Sequence, residues 1–437
     1  MKSVQLLEVN NEGEILREGS SSSNNNIIML LTNFGLYFIL APDPAACAGR
    51  PSQAPSAPSP TCPWSRHSIA LPICNNAEHQ EIPARDDDSS DEVSPSLPDW
   101  VGGSQCIEQF CLYSSQRFQG GRGIAVISTA ANVEILKALE TAQHVSSEKS
   151  PPYVITEVAN KGLGMIANQT LRRGDSILSK TPAILIHRDF LELFPPGDQY
   201  PILDAAIQQL PDLLRQTFLS QMGHFGGHRV SDILATNSFQ MDLGGEHGQH
   251  YGNFPEVSRF NHDCRANVAF HIDQNLNHVT TVVREVSDGE ELTISYLDPF
   301  EPRALRQERA QFAWGFACSC SQCSLPDHRS AKSDDRLRRI ADIRSKLSDQ
   351  KAPVTQGMIQ NALNLYKEER LESKIAGIYT LAALNYNMLG NDKQATKHAK
   401  LAIEALSIEY GPGSPDEDSM KILAQKPKEH FTWRLRM

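Results

Sequence analysis

The chain has 437 residues, of which 40% are hydrophobic and 21% charged, and this balance excludes a protein that is disordered throughout. The formal net charge of −11 excludes a protein held on nucleic acid by its overall charge, and we expect no direct nucleic-acid binding. The length is sufficient for two or three domains.

The first 100 residues predict a low-complexity leader. Residues 42–100 are rich in Pro, Ser and Ala and include the acidic run 86–92, a composition that cannot bury much apolar surface. The apolar run 27–41 has the length of a signal-peptide core, but several glutamates precede it, whereas a signal peptide needs a short positive start. Two interpretations therefore stay open: a working signal peptide, and an apolar segment of an unstructured arm or a misjudged start.

Residues 101–150 predict a partly ordered N-terminal extension. We expect a strand at 124–128, placed at the edge of the main sheet, and a helix at 131–142. The glycine-rich run 120–123 precedes the strand, whereas a phosphate-binding loop follows a strand and opens a helix. This run therefore predicts a hairpin turn.

Residues 151–300 predict a compact α+β domain. A helical period at 201–222 is broken by Pro211, and Ser231 is expected to cap a helix that ends near residue 239. These helices lie in an insert, 188–257, between two groups of short strands. The expected strands are 153–158, 165–167, 176–179, 181–187, 267–272, 278–284 and 291–296.

The remainder of the chain predicts a helix at 301–314, a cysteine-rich segment within 301–330 and a helical C-terminal domain over 331–437. Helices at 376–389 and 392–406, joined by Gly390 and Asn391, have the size of one tetratricopeptide unit. We expect a helical domain with this one repeat-like pair.

The cysteines predict a metal site. Cys318, Cys320 and Cys323 fall within six residues, a spacing at which three thiolates converge on one tetrahedral ion. A structural zinc site usually has four ligands, and Cys264 is the remaining cysteine of the predicted core. We therefore predict that Cys264 closes a zinc site. The earlier cysteines, among them Cys106 and Cys111, are loosely spaced and would form disulfides only in an oxidising compartment.

Two other segments carry residues suited to chemistry. Gly162 and Gly164 lie between two predicted strands, where glycine allows close approach of a ligand, although such turns are usually only turns. The second segment, 259–264, places Asn261, His262 and Cys264 in one turn. It is open to two interpretations, a Cys–His nucleophilic pair or a buried polar turn, and the zinc assignment of Cys264 removes the first.

The order of these motifs resembles a SET domain with its post-SET segment. The motifs are Gly162-Leu163-Gly164, Asn261-His262-Asp263-Cys264, Glu291-Leu292-Thr293-Ile294-Ser295-Tyr296 and Cys318-Ser319-Cys320-Ser321-Gln322-Cys323. The helical insert and the helical C-terminal domain are similar to the SET-and-MYND branch, but residues 165–260 contain no cysteine and hence no MYND zinc module. The layout, with its leader, looks most like fungal SET-domain proteins that lack that module.

The resemblance implies a site for S-adenosylmethionine. It assigns cofactor contacts to Lys161, Gly162, Gly164, Asn237, Asn261, His262, Tyr296 and Phe316, and it makes Tyr296 the catalytic tyrosine. Methyl transfer needs a neutral amine held in line with the methyl–sulfur bond, so positioning and desolvation matter more than a strong base. Two positions depart from the family pattern, because Asp263 replaces the usual serine and Ala266 the usual proline.

We therefore predict a protein-lysine methyltransferase whose partner is a protein substrate with an exposed lysine, histone or non-histone. The first alternative is a catalytically inactive SET-fold scaffold, and the second is a secreted disulfide-containing protein. We expect the nucleus or cytoplasm, or the secretory pathway if the run 27–41 is a working signal, and no membrane partner. The sequence does not indicate the substrate protein, the degree of methylation or the oligomeric state.

Overall fold

The computed structural model of the protein describes residues 8–9, 15–16, 100–141, 150–243 and 248–437. The predicted apolar run 27–41 and the acidic run 86–92 lie outside the described residues. Within the described ranges, none of the helices combines the length and the apolar character needed to cross a membrane.

The described residues form fifteen short strands and twelve α-helices. The strands are β1 (Glu8–Val9), β2 (Ile15–Leu16), β3 (Val101–Ile107), β4 (Phe110–Ser115), β5 (Ile124–Ser128), β6 (Tyr153–Val158), β7 (Gly162–Ala167), β8 (Ser176–Lys180), β9 (Ile184–His187), β10 (Ser238–Asp242), β11 (Gln249–Asn253), β12 (Asn261–His262), β13 (Val268–Ile272), β14 (His278–Val282) and β15 (Glu291–Ile294). The helices are α1 (Phe118–Gly121), α2 (Ala130–Thr141), α3 (Arg188–Leu193), α4 (Pro196–Gln208), α5 (Asp212–Leu219), α6 (Arg229–Asn237), α7 (Arg303–Trp314), α8 (Asp327–Ser348), α9 (Gln356–Glu368), α10 (Ala376–Met388), α11 (Asp392–Tyr410) and α12 (Pro415–Gln425), with 3-10 turns at Val257–Arg259 and Glu372–Lys374.

The strands from β3 onward form three small sheets, and the prediction of an α+β fold with small sheets is confirmed. The largest has the order β10-β11-β9-β5-β4-β3, the second the order β12-β15-β7-β6, and the third the order β13-β14-β8. The second sheet brings the glycine-rich strand β7 beside β15, and β15 beside β12. It therefore gathers three of the four motifs.

The strand β5 lies in the interior of the largest sheet, so the prediction that it would be an edge strand is wrong. It pairs antiparallel with β4 and parallel with β9, and Ile124 to Ile127 are wholly buried. A strand covered on both faces is apolar without alternation, as this one is. The run 120–123 lies in the connection between the antiparallel neighbours β4 and β5, as predicted, but this connection spans 116–123 and contains the short helix α1, so it is not a simple hairpin turn. A disulfide links Cys106 and Cys111 across β3 and β4.

The helical insert packs on one face of this sheet. Leu203, Ile207, Phe218 and Ile233 are buried there against β5 and β9 residues. The helical period indeed breaks at Pro211, which precedes α5. The expected cap of α6 by Ser231 is wrong, because the His228 ring accepts a hydrogen bond from the Ser231 backbone N–H and the helix starts at Arg229.

The C-terminal domain is helical, as predicted, and α10 is its centre. Every residue of α10 except Tyr379 is buried, against residues of α8, α9, α11 and α12. Helices α10 and α11 form the expected pair, with α11 continuing to Tyr410. The domain meets the sheets through Ile408, which packs with Ala269 and Val283, and through an ion pair of 2.7 Å between Arg173 and Glu404.

Candidate active site

The structure brings the four predicted metal ligands together. The Sγ atoms of Cys264, Cys318, Cys320 and Cys323 all lie within 4.8 Å of one another, and all four residues are buried. The Cys264 Sγ is 3.6 Å from that of Cys323 and 4.0 Å from that of Cys318. A tetrahedral ion with zinc–sulfur bonds of about 2.3 Å sets its sulfurs about 3.8 Å apart. The donor set and its spacing therefore fit one zinc ion.

A buried arginine lies against this cluster. The Arg306 side chain is 1% exposed, its Nε is 3.2 Å from the Cys264 Sγ and its Nη2 is 3.9 Å from the Cys323 Sγ. Four thiolates around a divalent ion carry two excess negative charges, which a guanidinium partly offsets. Gln307 exchanges hydrogen bonds of 2.7 and 2.8 Å with the backbone of Cys318. Neither residue was predicted from the sequence, since nothing in a charged helix marks one arginine as buried.

The glycine strand and the Asn-His motif meet at Glu291. The Glu291 carboxylate accepts from the Lys161 Nζ at 2.6 Å and from the Asn261 Nδ2 at 2.9 Å. The Asn261 amide also reaches the Leu163 carbonyl at 3.4 Å. Glu291 was not predicted as a site residue, yet its carboxylate joins Lys161 to Asn261, which are both predicted cofactor residues.

Gly162 and Gly164 are glycines for different structural reasons. Gly162 has a φ of +75°, a conformation that favours glycine. At Gly164 a Cβ atom would lie 2.7 Å from both the Asn261 Nδ2 and the Val158 Cγ2. The missing side chain at Gly164 therefore lets the side chains of Asn261 and Val158 pack directly against the backbone of β7. A cation, an anion and an amide beside open backbone match the zwitterionic amino-acid end of S-adenosylmethionine.

The buried ring of His262 connects the cysteine cluster to Tyr296. Its Nδ1 accepts from the Tyr296 backbone N–H at 3.0 Å, so the ring proton lies on Nε2, which is 3.3 Å from the Cys264 Sγ. Burial lowers the pKa of His262 to about 4, which keeps the ring neutral. Both ring nitrogens are occupied within the protein, so contacts from His262 to a cofactor would come from its backbone.

Tyr296 is surrounded by aromatic rings. Its ring centroid lies 5.2 Å from that of Trp314 and 6.4 Å from that of Phe316, and the hydroxyl donates to the Phe260 carbonyl at 2.6 Å. Burial raises the pKa of Tyr296, so the hydroxyl stays protonated near neutral pH. Trp314 was not among the predicted site residues, although its position two residues before Phe316 is a signal that was available.

Asn237 reaches this aromatic group through its neighbour. Its Nδ2 donates to the carbonyls of Met222 and Ile233 at 2.7 and 2.9 Å. The preceding carbonyl, that of Thr236, accepts from the Trp314 Nε1 at 3.2 Å. The structure thus places Asn237 beside the aromatic group but gives its amide nitrogen local partners.

The two departures from the family pattern have local roles. The Asp263 carboxylate accepts from the Arg265 backbone N–H at 2.7 Å, and burial raises its pKa. Ala266 is buried. The retained Asn267 accepts from the Thr293 N–H and donates to the Glu291 carbonyl, both at 2.8 Å, and so fastens the Asn-His turn to β15.

Comparison with known proteins agrees with this geometry. Residues 162–297 match the family model described as the SET domain, so the chain contains a SET domain. The chain is 26% identical over 287 residues to histone-lysine N-methyltransferase set5 of Schizosaccharomyces pombe, covering 64% of this chain and 85% of the relative. It is 30% identical over 180 residues to N-lysine methyltransferase SMYD2 of Homo sapiens, covering 38% of this chain and 39% of the relative.

A further similarity, to N-lysine methyltransferase SMYD2-B of Xenopus laevis, is 34% identity over 118 residues, 27% of this chain and 25% of the relative. The alignments with the SMYD2 proteins thus span less than half of those relatives. The comparisons confirm the prediction of a SET-domain protein-lysine methyltransferase.

Proposed function

We propose that this protein is an active protein-lysine N-methyltransferase that uses S-adenosylmethionine. The observation that carries the proposal is the position of Tyr296, held by the His262 ring at its backbone and by the Phe260 carbonyl at its hydroxyl. A scaffold that had lost catalysis would have no need of a protonated tyrosine hydroxyl fixed at this point.

The residues around Tyr296 suit an incoming lysine. The rings of Tyr296, Trp314 and Phe316 form an apolar surround that disfavours the charged form of an amine. The Tyr296 hydroxyl donates its hydrogen bond to the Phe260 carbonyl. Its oxygen can therefore accept a hydrogen bond from the amine and orient the nitrogen lone pair. S-adenosylmethionine supplies the methyl group when bound, and Lys161, Glu291 and Asn261 would hold its amino-acid end.

The function is tested with radiolabelled S-adenosylmethionine on a proteome extract. We expect labelled protein bands with the full-length chain, and loss of labelling with Tyr296→Phe while cofactor binding by calorimetry persists. Tyr366→Phe is the matched control, because Tyr366 is a buried tyrosine of the C-terminal domain whose hydroxyl has no partner among the described residues. Labelling that survives Tyr296→Phe would remove the catalytic assignment, and cofactor binding without any labelling would favour the scaffold.

We propose one zinc ion at the four cysteines. The support is the buried set of four sulfurs within 4.8 Å of one another and the charge of Arg306. Because structural zinc contributes folding energy, chelation should lower the melting temperature. Metal analysis is expected to give one zinc per chain and to find it reduced in Cys264→Ser. Protein that purifies without zinc, or Cys264→Ser with full zinc, contradicts the proposal.

The substrate we propose is a protein with an exposed lysine, histone or non-histone. The relative from Schizosaccharomyces pombe is named as a histone-lysine N-methyltransferase and the human one as an N-lysine methyltransferase, which supports either. We further propose that the protein acts in the nucleus or cytoplasm, where S-adenosylmethionine is found; the Cys106–Cys111 disulfide is the observation that favours the secretory pathway instead. Imaging of a C-terminally tagged chain tests this, and a tagged protein found in the secretory pathway would support a working signal at 27–41 instead.

A further inference from the structure

A buried carboxylate of the C-terminal domain lies beside the cysteine cluster. Glu369 directly follows α9 and is 1% exposed. Its Oε2 is 2.7 Å from the Arg265 Nη2, 2.7 Å from the Ser333 Oγ and 3.3 Å from the Gln322 Nε2. Its Oε1 is 2.6 Å from the Arg336 Nε. All four of these groups donate to the carboxylate, which is therefore fully hydrogen-bonded.

Two of these partners are sequence neighbours of metal ligands. Arg265 follows Cys264 and Gln322 precedes Cys323. The two cysteines come from segments 59 residues apart, and their Sγ atoms are 3.6 Å from each other. A single carboxylate therefore bonds to both of the segments that must meet to form the site.

The geometry around Glu369 leaves little freedom to either segment. The Arg265 guanidinium also donates to the carbonyls of Cys264 and Pro299, at 2.8 and 3.1 Å. The next residue of the C-terminal domain, Arg370, donates to the Ser321 Oγ at 3.0 Å. Buried ion pairs with complete hydrogen bonding are specific in geometry, and removing one partner leaves an uncompensated charge.

We propose that Glu369 is a positioning residue of the four-cysteine site. Docking of the helical C-terminal domain holds the Cys264 turn and the Cys318–Cys323 segment at the spacing the metal requires. Metal retention then depends on a residue outside the matched SET domain, 162–297. The inference rests on the proposed zinc site.

The test measures zinc release from the full-length protein. Glu369→Gln keeps the volume and removes the charge, and Glu368→Gln is the matched control, because Glu368 is exposed and its contact with the Arg336 Nε is 3.8 Å. Loss of a residue that orients metal ligands typically costs 10- to 100-fold in metal affinity. We expect release to a chromogenic chelator at least about tenfold faster in Glu369→Gln and unchanged in Glu368→Gln.

Arg265→Gln completes a double-mutant cycle. If the two side chains act as one unit on the metal, the double variant releases zinc no faster than the faster single variant. If the contact between Arg265 and Glu369 only stabilised the fold, the substitutions would lower the melting temperature. Zinc release at temperatures well below the unfolding transition would then stay unchanged. That result, or additive effects of the two substitutions on the release rate, overturns the inference.

Two further outcomes are separable. If Glu369→Gln does not yield folded protein, Gln322→Ala removes one neutral donor and is expected to speed release by a smaller factor; an unchanged rate in Gln322→Ala then overturns the inference. If the unsubstituted protein contains no zinc, the zinc proposal itself fails and the inference falls with it. If the unsubstituted protein contains one zinc per chain and Glu369→Gln releases it at the same rate, the role of Glu369 is rejected while the zinc proposal stands.

Discussion

Gly164→Ala is expected to weaken cofactor binding more than it weakens the fold. The added Cβ would lie 2.7 Å from the Asn261 Nδ2, 2.7 Å from the Val158 Cγ2 and 3.2 Å from the Glu291 Oε1. Two of these three atoms are the ends of side chains in the predicted cofactor site. They can yield by rotating, but in doing so they give up the contact of 2.9 Å between Asn261 and Glu291.

The magnitude follows from the contacts that must change. Inserting a methyl group into a packed site typically costs about 1–3 kcal/mol. Because the atoms that yield are ends of polar side chains that present the cofactor site, we expect most of this cost in binding. A loss of about 1–3 kcal/mol corresponds to about 5- to 150-fold weaker affinity for S-adenosylmethionine. The unfolding free energy should fall by less.

Calorimetric titration with S-adenosylmethionine and thermal unfolding together test this expectation. Gly174→Ala is the control outside the proposed site: a Cβ there meets nothing within 4 Å, but the φ of +92° disfavours alanine by about 1–2 kcal/mol. The control should therefore lose stability with a smaller change in affinity. If Gly164→Ala bound the cofactor like the wild type, the Asn261 and Glu291 side chains around Gly164 would not be part of the cofactor site.

Three more predictions follow from the structure. Asn261→Ala should abolish cofactor binding in the same calorimetric assay, whereas wild-type affinity would contradict the assignment. A chain starting at residue 99 should bind the cofactor like the full-length protein, but one starting at residue 151 lacks the interior strand β5 and should be insoluble or unfolded by circular dichroism. Burial among three phenylalanines lowers the pKa of His278 to about 3, whereas its value in the unfolded chain is about 6.5. The unfolded chain therefore binds a proton at His278 more readily, and the fold loses stability as the pH falls from about 6.5 towards 3. Denaturant unfolding at pH 7 and pH 5 should therefore show a smaller difference in His278→Leu than in the wild type; an equal difference would rule out this histidine as a source of the acid sensitivity.

Local patterns were enough to predict the elements that a few neighbouring residues specify. The local pattern at Tyr153–Val158 predicts a strand, although the middle residues of β6 are all exposed and do not alternate in burial, and Pro211 predicts the break between two helices, because each effect acts over a few residues of backbone. The cluster of four cysteines was predictable for another reason. Thiols are rare in this chain, and the interval between Cys111 and Cys264 contains none, so few pairings were available.

The sequence by itself determined the SET motifs, the four cysteines, most strands and the helical character of the last hundred residues. Only the tertiary structure decided that β5 is interior, that Glu291 joins Lys161 to Asn261, and that Arg306 and Glu369 are buried charges at the cysteine cluster. The burial of a charged side chain depends on the groups that surround it, and here those groups come from segments tens of residues away. A charge on an amphipathic helix has the same local pattern whether it faces water or a compensating partner, so its burial is fixed by long-range packing and not by its neighbours in the chain.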